Sequence, residues 1–176
     1  MVKRVKRLGK MIVFDFGNFF LVIHLKLSGR ILLKSCEDLP LRWERVRIDF
    51  DSCKSLRFED LRMFGYVKLF NQAEFANLAG NLGEDALDLT PEDFHRRINH
   101  SRQAIKKVLL DQRKISGVGN IYANEALFKA SINPSRLAKD LSLEEVASLL
   151  RAVKQVLKIG IEARGATISD DLYRDI

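Results

Sequence analysis

The richest chemistry in the chain lies in Ile115-Ser116-Gly117-Val118-Gly119-Asn120, a glycine-punctuated reversal between two stretches of helical spacing. Glycine permits positive φ and lets another backbone come close, and Asn120 sits where a helix N-cap would. The first amides of the next helix are unpaired and carry a partial positive charge, which suits a phosphate. From spacing alone, a connection that simply needs glycine explains the same residues equally well. The turn is no dinucleotide fingerprint, because the third glycine of G-x-G-x-x-G is missing and no strand precedes it. Nor is it a Walker loop, since Gly-Lys-Ser/Thr is absent. The flanking cations Arg96, Arg97, Arg102, Lys106, Lys107, Arg113 and Lys114 tilt the balance toward phosphate.

Charge elsewhere points the same way. Thirty Lys and Arg against 23 Asp and Glu give a net +7, and the pI is near 9.5. Residues 1–10 hold Lys3, Arg4, Lys6, Arg7 and Lys10 with no acid. Two basic clusters, one beside a turn suited to phosphate, favour a nucleic-acid partner over a pair of solvated faces. No apolar run has the length of a bilayer span, and a cytoplasmic setting is expected. Cys36 and Cys53 lack metal-ligand spacing and are expected to be reduced and structural.

The elements that must carry these residues fall into two halves. Up to about residue 70 the period is that of strands: "MIVFDF" and "FFLVIHLKL" form a hairpin about Gly17-Asn18, and "ILLKS", "RVRIDF", "SLRFED" and "FGYVKLF" continue. In "RVRIDF", Val46, Ile48 and Phe50 share one face. From about residue 73 the period is helical. Thr90 caps a helix with Pro91 at its first position, and Phe94 and Ile98 share a face. Helices are expected over Ala104–Gln112, burying Ile105, Val108 and Leu109, and over Ile121–Ala130, burying Ile121, Leu127 and Phe128. Ser142 and Glu145 make a capping box. Behind it Val146, Leu149, Leu150, Val153, Val156, Leu157, Gly160 and Ile161 form one buried stripe.

Four blocks in order, "HLKLSGR" (His24–Arg30), "LRFEDLRMFG" (Leu56–Gly65), "LLDQRKISGVGNIYANEALFKASINPSRLAKDLS" and "RGATISD" (Arg164–Asp170), closely resemble the formamidopyrimidine-DNA glycosylases, bacterial base-excision enzymes related to endonuclease VIII. They cover almost the whole chain. The resemblance implies an α+β fold: an incomplete antiparallel β-sandwich over residues 1–72, carrying lesion-probing loops, then a helix-two-turn-helix DNA-binding domain over 73–176.

Such enzymes extrude a damaged purine and fill the void behind it. The resemblance implies that Leu27, Arg62 and Phe64 fill it, as an apolar wedge where the family usually has Met, a donor fork for the orphaned cytosine, and a ring that unstacks a base step. Lys10 and Asn120, with Gly119 beside it, match DNA-phosphate contacts, and Lys106 supports the same backbone. Met63 stands where the family often has a second Arg. His24 is expected to shape its loop.

The departures concern chemistry. The family's nucleophile is an N-terminal proline amine followed by a glutamate that moves protons. The chain opens "MVKRVKRLGK", inside the β domain, and closes at "SDDLYRDI", before the family's four-cysteine zinc finger. The expectation is a fragment with an open sheet edge, without nucleophile, general acid, zinc or other cofactor, in which Lys10 is a possible auxiliary amine. The function implied is formamidopyrimidine-DNA glycosylase and abasic-site lyase of base-excision repair, removing oxidised purines such as 8-oxoguanine. The partner is damaged or abasic double-stranded DNA, bound by a monomer near the nucleoid. A binding-only paralogue and a ribosomal-type RNA-binding protein are the alternatives; the void-filling loop argues against the latter.

Overall fold

In the computed structural model, which describes residues 1–163, the chain divides into two compact units, Met1–Ala79 and a second from Gly80 on. The first holds β1 (Arg4–Leu8), β2 (Met11–Asp15), β3 (Phe19–His24), β4 (Gly29–Ser35), β5 (Glu44–Asp49), β6 (Lys54–Asp60) and β7 (Tyr66–Asn71), and ends in α1 (Gln72–Gly80). All pairings are antiparallel, in one sheet ordered β1-β2-β3-β7 and another ordered β4-β6-β5. The chain passes between the sheets twice in ways that matter below, from β3 to β4 and from β6 to β7.

The hairpin about Gly17-Asn18 forms as the alternating pattern requires, with Asp15 paired to Phe20 and Gly17 at φ 91°. Met11, Val13, Val22, Ile23 and Phe58 are buried. The basic run at the N-terminus contains a strand that its sequence pattern does not announce. In β1 a lysine takes a sheltered position: Lys6 pairs with Val13 and lays its ammonium 5.3 Å and 5.0 Å from the ring centroids of Phe20 and Phe75. A long aliphatic stem covers apolar surface while its charge meets the ring faces. Those two rings stack 4.0 Å apart and hold α1 against the strands.

The expectation of reduced cysteines is corrected. The β4–β6 ladder ends at Ser35–Lys54, so Cys36 and Cys53 face each other one step further on. They are joined in a disulfide with Cα atoms 5.1 Å apart, a separation suited to that bond. Phe50 lies beyond the end of β5 and is more open than Val46 and Ile48. The loop between β4 and β5 closes over Arg57, which is fully buried. Its guanidinium donates to the carbonyls of Ser35, Asp38 and Leu39 at 2.8–3.0 Å and to Glu44 at 3.1 Å.

The second unit holds α2 (Pro91–Ile98), α3 (Ile105–Leu110), α4 (Asn120–Lys129) and α5 (Leu143–Glu162). The α+β class is as expected. Thr90 caps α2 through the amide of Asp93, and Ser142 and Glu145 complete the capping box of α5. One face of α5, from Val146 to Gly160, is buried and packs against α2 and α4. Three expectations fail here. Phe128 is 86% exposed, because α4 turns Ala123, Ala126 and Leu127 inward instead. Ile121 is only partly buried, and Ile161, in the last turn of α5, is open to solvent. The block Arg164–Asp170 lies outside the described residues.

Replacing the cap, Ser142→Ala, is expected to lower stability by about 1 kcal/mol, and Leu149→Ala, at a fully buried position, by about 2–5 kcal/mol. Urea denaturation measures both. Equal, small losses would contradict the place of α5 at the centre of this unit.

Candidate nucleic-acid interface

In the first unit the residues singled out from sequence meet at one end of the β1-β2-β3-β7 sheet. Register brings them there: Met11 pairs with His24, and His24 with Tyr66. Lys10 directly precedes Met11 and Leu27 follows His24 by three residues. Arg62 and Phe64 lie just before Tyr66. Leu27 is 66% exposed and Phe64 58%, with Leu61 and Met63 equally open. Apolar side chains of this size standing in solvent on short loops are not core residues. A buried-strand reading of Phe64 and Leu27 is thereby excluded.

Both loops are built tightly for all their exposure. Asp60, the last residue of β6, is fully buried and receives a hydrogen bond from the hydroxyl of Ser28. It also accepts the backbone N–H of Gly65 at 2.7 Å and of Arg62 at 3.2 Å. The amide of Arg62 is shared with Ser28 Oγ, also at 3.2 Å. Burial alone would push the Asp60 carboxyl up. The Ser28 hydroxyl and the amides of Gly65, Arg62 and Met63 outweigh it and hold the pKa below the ordinary carboxylate value. Gly65 is required by closeness: a Cβ there would lie 2.7 Å from the Phe58 ring and 2.8 Å from the carbonyl oxygen of His24. Lys26 and Met63 hold left-handed backbone at φ 53° and 57°, a conformation that costs a non-glycine residue about 1 kcal/mol.

The electrostatics of this end are set by His24. Its Nδ1 accepts the N–H of Lys26 at 3.0 Å, which leaves that nitrogen without a proton. Burial, then the charges of Lys26 and Lys10, push its pKa down to about 4 from 6.5. Desolvation, then the charge of Lys26, lowers Lys10 as well. Both lysines thus act on His24 in the direction that keeps its imidazole neutral.

In the second unit Gly119, with φ −109° and ψ 175°, is the N-cap of α4, and no side chain caps this helix. This corrects the placement of Asn120 as N-cap: it is the first helical residue, and its side chain is exposed. The two glycines of the turn serve different ends. Gly117 has φ 95° and is demanded by the backbone. Gly119 has no such need, and a Cβ there would meet nothing within 4 Å. Gln112, to which the sequence assigned no role, pins the turn. Its amide nitrogen donates to the Val118 carbonyl at 2.9 Å, and its oxygen accepts the Gly117 N–H at 3.1 Å.

The basic cluster leading into this turn is partly spent within the fold. Arg96 pairs with Asp93, Arg97 with Glu84 and Arg113 with Asp111, while Lys114 donates to Ser101. Lys106, half-buried on the first turn of α3, and exposed Lys107 have no ion-pair partner among the described residues. Ser28, Asp60 and Gln112 all lie within the blocks that carry the resemblance, but their bonding was not legible in sequence, because each works through a partner distant in the chain or through its own turn. The four-cysteine zinc site that the resemblance implies does not fit these residues. Cys36 and Cys53 are bonded to each other, and no cluster of three or more metal-binding side chains occurs among the described residues.

The depressed His24 has a consequence for pH. Between 6.5 and about 4 the unfolded chain binds a proton at this residue and the folded chain does not. Stability therefore falls as pH drops through that window and is regained as it rises. The thermal midpoint of the chain is expected to climb from pH 4 to pH 6.5, with a shallower slope in His24→Gln. Equal slopes would show that His24 has no part in the pH dependence.

Two family models match the chain: the formamidopyrimidine-DNA glycosylase N-terminal domain over residues 1–67 and the formamidopyrimidine-DNA glycosylase H2TH domain over residues 82–171. A formamidopyrimidine-DNA glycosylase of Herpetosiphon aurantiacus is 38% identical across 99% of this chain and 64% of its own length. The one from Escherichia coli O6:H1 is 36% identical, across 99% of this chain and 65% of its own length. Among solved structures, the Lactococcus lactis enzyme in complex with DNA containing an abasic site superposes with a TM-score of 0.87 at 25% identity, covering 96% of this chain and 64% of that one. A MutM complex with DNA containing carbocyclic 8-oxo-G gives 0.86 at 26% identity, covering 96% of this chain and 65% of that one. The chain thus spans slightly under two thirds of the length of these relatives. With the domain matches falling on both units, the chain belongs to the formamidopyrimidine-DNA glycosylase family.

Proposed function

We propose that this chain recognises and holds damaged duplex DNA within a formamidopyrimidine-DNA glycosylase and abasic-site lyase of base-excision repair, whose substrates are oxidised purines such as 8-oxoguanine. The observation that carries this reading is the convergence of Leu27, Arg62 and Phe64, all exposed, on two braced loops beside Lys10. A wedge of apolar side chains with a guanidinium among them suits the void left when a nucleotide leaves the stack. Arg62 supplies hydrogen-bond donors for the orphaned cytosine edge, while Phe64 and Leu27 replace lost stacking.

Affinity comes from phosphates. Lys10 and Lys26 bring positive charge to the end of the sheet where these loops lie. In the second unit, the Gly119–Asn120 backbone at the uncapped N-terminus of α4 suits another stretch of backbone, and Lys106 on α3 adds charge. The open space over Gly119 supports close approach there. The ligand implies a cytoplasmic, nucleoid-associated setting and requires no more than one copy of the chain.

Excision in this family proceeds by an amine attacking the sugar C1′. The proline nucleophile and the glutamate proton carrier match no residue of these 176, and neither zinc nor another cofactor enters the reading. Lys10, with its lowered pKa, is the amine placed to act as an auxiliary. Incubation with abasic duplex and borohydride tests that role: a covalent adduct mapping to Lys10 is expected if it does so, and the absence of an adduct restricts the chain to binding.

The binding reading is tested directly. The chain is expected to bind a duplex with an abasic site opposite cytosine more tightly than an intact one, and equal affinities would overturn the proposal. Asn120→Ala should weaken binding to every duplex, and Lys10→Ala should do the same while also reducing the salt slope by about one phosphate contact. Arg62→Ala should instead lose about 1–3 kcal/mol of preference for cytosine opposite the lesion. Titration by fluorescence anisotropy at several salt concentrations separates the two patterns.

A further inference from the structure

The two wedge-bearing loops belong to different strand connections. Leu25–Ser28 links β3 to β4, and Leu61–Gly65 links β6 to β7, so each passes from one sheet to the other. Such loops would ordinarily move independently. Here Ser28, 32 residues from Asp60 in sequence, gives its hydroxyl proton to Asp60 Oδ1 and with its oxygen accepts the Arg62 amide. One hydroxyl therefore touches both the buried carboxylate and the backbone of the residue that bears the guanidinium. Asp60 is fixed from behind in turn. Its amide donates to the Trp43 carbonyl at 3.0 Å, and its own carbonyl accepts from Arg45 Nε at 2.9 Å.

We propose that Ser28 and Asp60 form a latch that makes the two loops one rigid unit, presenting Leu27, Arg62 and Phe64 at a fixed mutual spacing before DNA arrives. Both are positioning residues, acting through the loops and making no contact with DNA themselves. The inference rests on the DNA-binding reading above for its consequence, though not for its geometry. A wedge assembled from two loops must enter one gap in the base stack. If the loops were ordered only on entry, that entropic cost would be subtracted from binding to the lesion. A latch closed during folding removes this subtraction, and it does so for lesion recognition more than for phosphate contact. It also accounts for the tolerated left-handed backbone at Lys26 and Met63, one in each loop, since a locally unfavourable conformation persists where its surroundings over-determine it.

The test uses the 176-residue chain and three variants, Ser28→Ala, Ser28→Thr and Asp60→Asn, with two readouts. The first is amide hydrogen exchange in the absence of DNA at residues 25–28 and 61–65. The second is the ratio of affinities for a duplex with a tetrahydrofuran abasic site and for its intact counterpart. Ser28→Ala is expected to speed exchange in both loops by about tenfold, the scale of one lost hydrogen bond to a charged group. The abasic-to-intact ratio should fall by a similar factor. Ser28→Thr, which keeps the hydroxyl, should restore both, and Asp60→Asn should loosen both loops even if Ser28→Ala folds poorly. Exchange that stays at the wild-type rate in either loop for both Ser28→Ala and Asp60→Asn overturns the latch, whatever the DNA measurements show. If instead both loops loosen together but the wild-type chain itself shows no preference for the abasic duplex, the latch stands and the DNA-binding reading falls.

Discussion

A single buried carboxylate organises the end of the first unit on which the functional reading depends. Asp60 has no solvent exposure, yet it keeps its charge because a hydroxyl and several backbone amides are aimed at it. An ionised group in that position is favourable only when such donors are present and correctly placed. The requirement runs both ways: the loop 61–65 must fold back on Asp60, and loop 25–28 must bring Ser28 to it. The exposure of Leu27, Arg62 and Phe64 is a by-product of that folding back. The amides of Arg62, Met63 and Gly65 and the Ser28 hydroxyl are occupied inward at Asp60. The neighbouring side chains are left outward, and a protein ordinarily avoids such an apolar display unless something is to cover it.

The β unit was legible in sequence wherever its strands alternate apolar and polar residues. Six of its seven strands fall in the stretches "MIVFDF", "FFLVIHLKL", "ILLKS", "RVRIDF", "SLRFED" and "FGYVKLF", although β3 stops at His24, short of Leu25-Lys26-Leu27, and β7 starts only at Tyr66. β1 was hidden because lysine fills its sheltered position: Lys6 stacks against Phe20 and Phe75, and a charge count cannot tell such a lysine from a solvated one. The Cys36–Cys53 bond was hidden for another reason. It depends on the register of β4 against β6, and register is a property of the pair that neither strand reveals alone. In the helical unit the caps at Thr90 and Ser142 could be read because capping is local. Phe128 misled because helical spacing shows that a residue shares a face, whereas neighbouring elements decide which face is covered.

Leu27, Arg62 and Phe64 were singled out only through resemblance. Composition and period would have assigned Phe64 and Leu27 to the core, and their exposure contradicts that assignment independently of any relative. Ser28 and Asp60 lie inside the same two blocks, His24–Arg30 and Leu56–Gly65, but bear no chemistry that stands out from sequence. Their part became visible only when a hydrogen bond closed across 32 residues. Gln112 is the counterpart in the helical unit. One amide side chain holds both the Gly117 N–H and the Val118 carbonyl, and so determines how the turn delivers Gly119 and Asn120 to the start of α4.

Charge divides along the same line as structure. The sequence shows a strongly basic chain, but Arg96, Arg97 and Arg113 are engaged with neighbouring carboxylates and contribute little field beyond them. Other cations act locally: Lys26 and Lys10 bear on a neutral His24 in one unit, and Lys106 and Lys107 on α3 have no ion-pair partner among the described residues in the other. Cations of this kind bind any duplex through its phosphates and carry no information about damage. Under the proposed function, discrimination comes from Leu27, Arg62 and Phe64, which are mostly uncharged and whose value depends on geometry. A protein with this division gains affinity from groups that tolerate imprecision. It reserves its most constrained backbone, the two loops tied through Asp60, for the step where a displaced side chain would cost recognition.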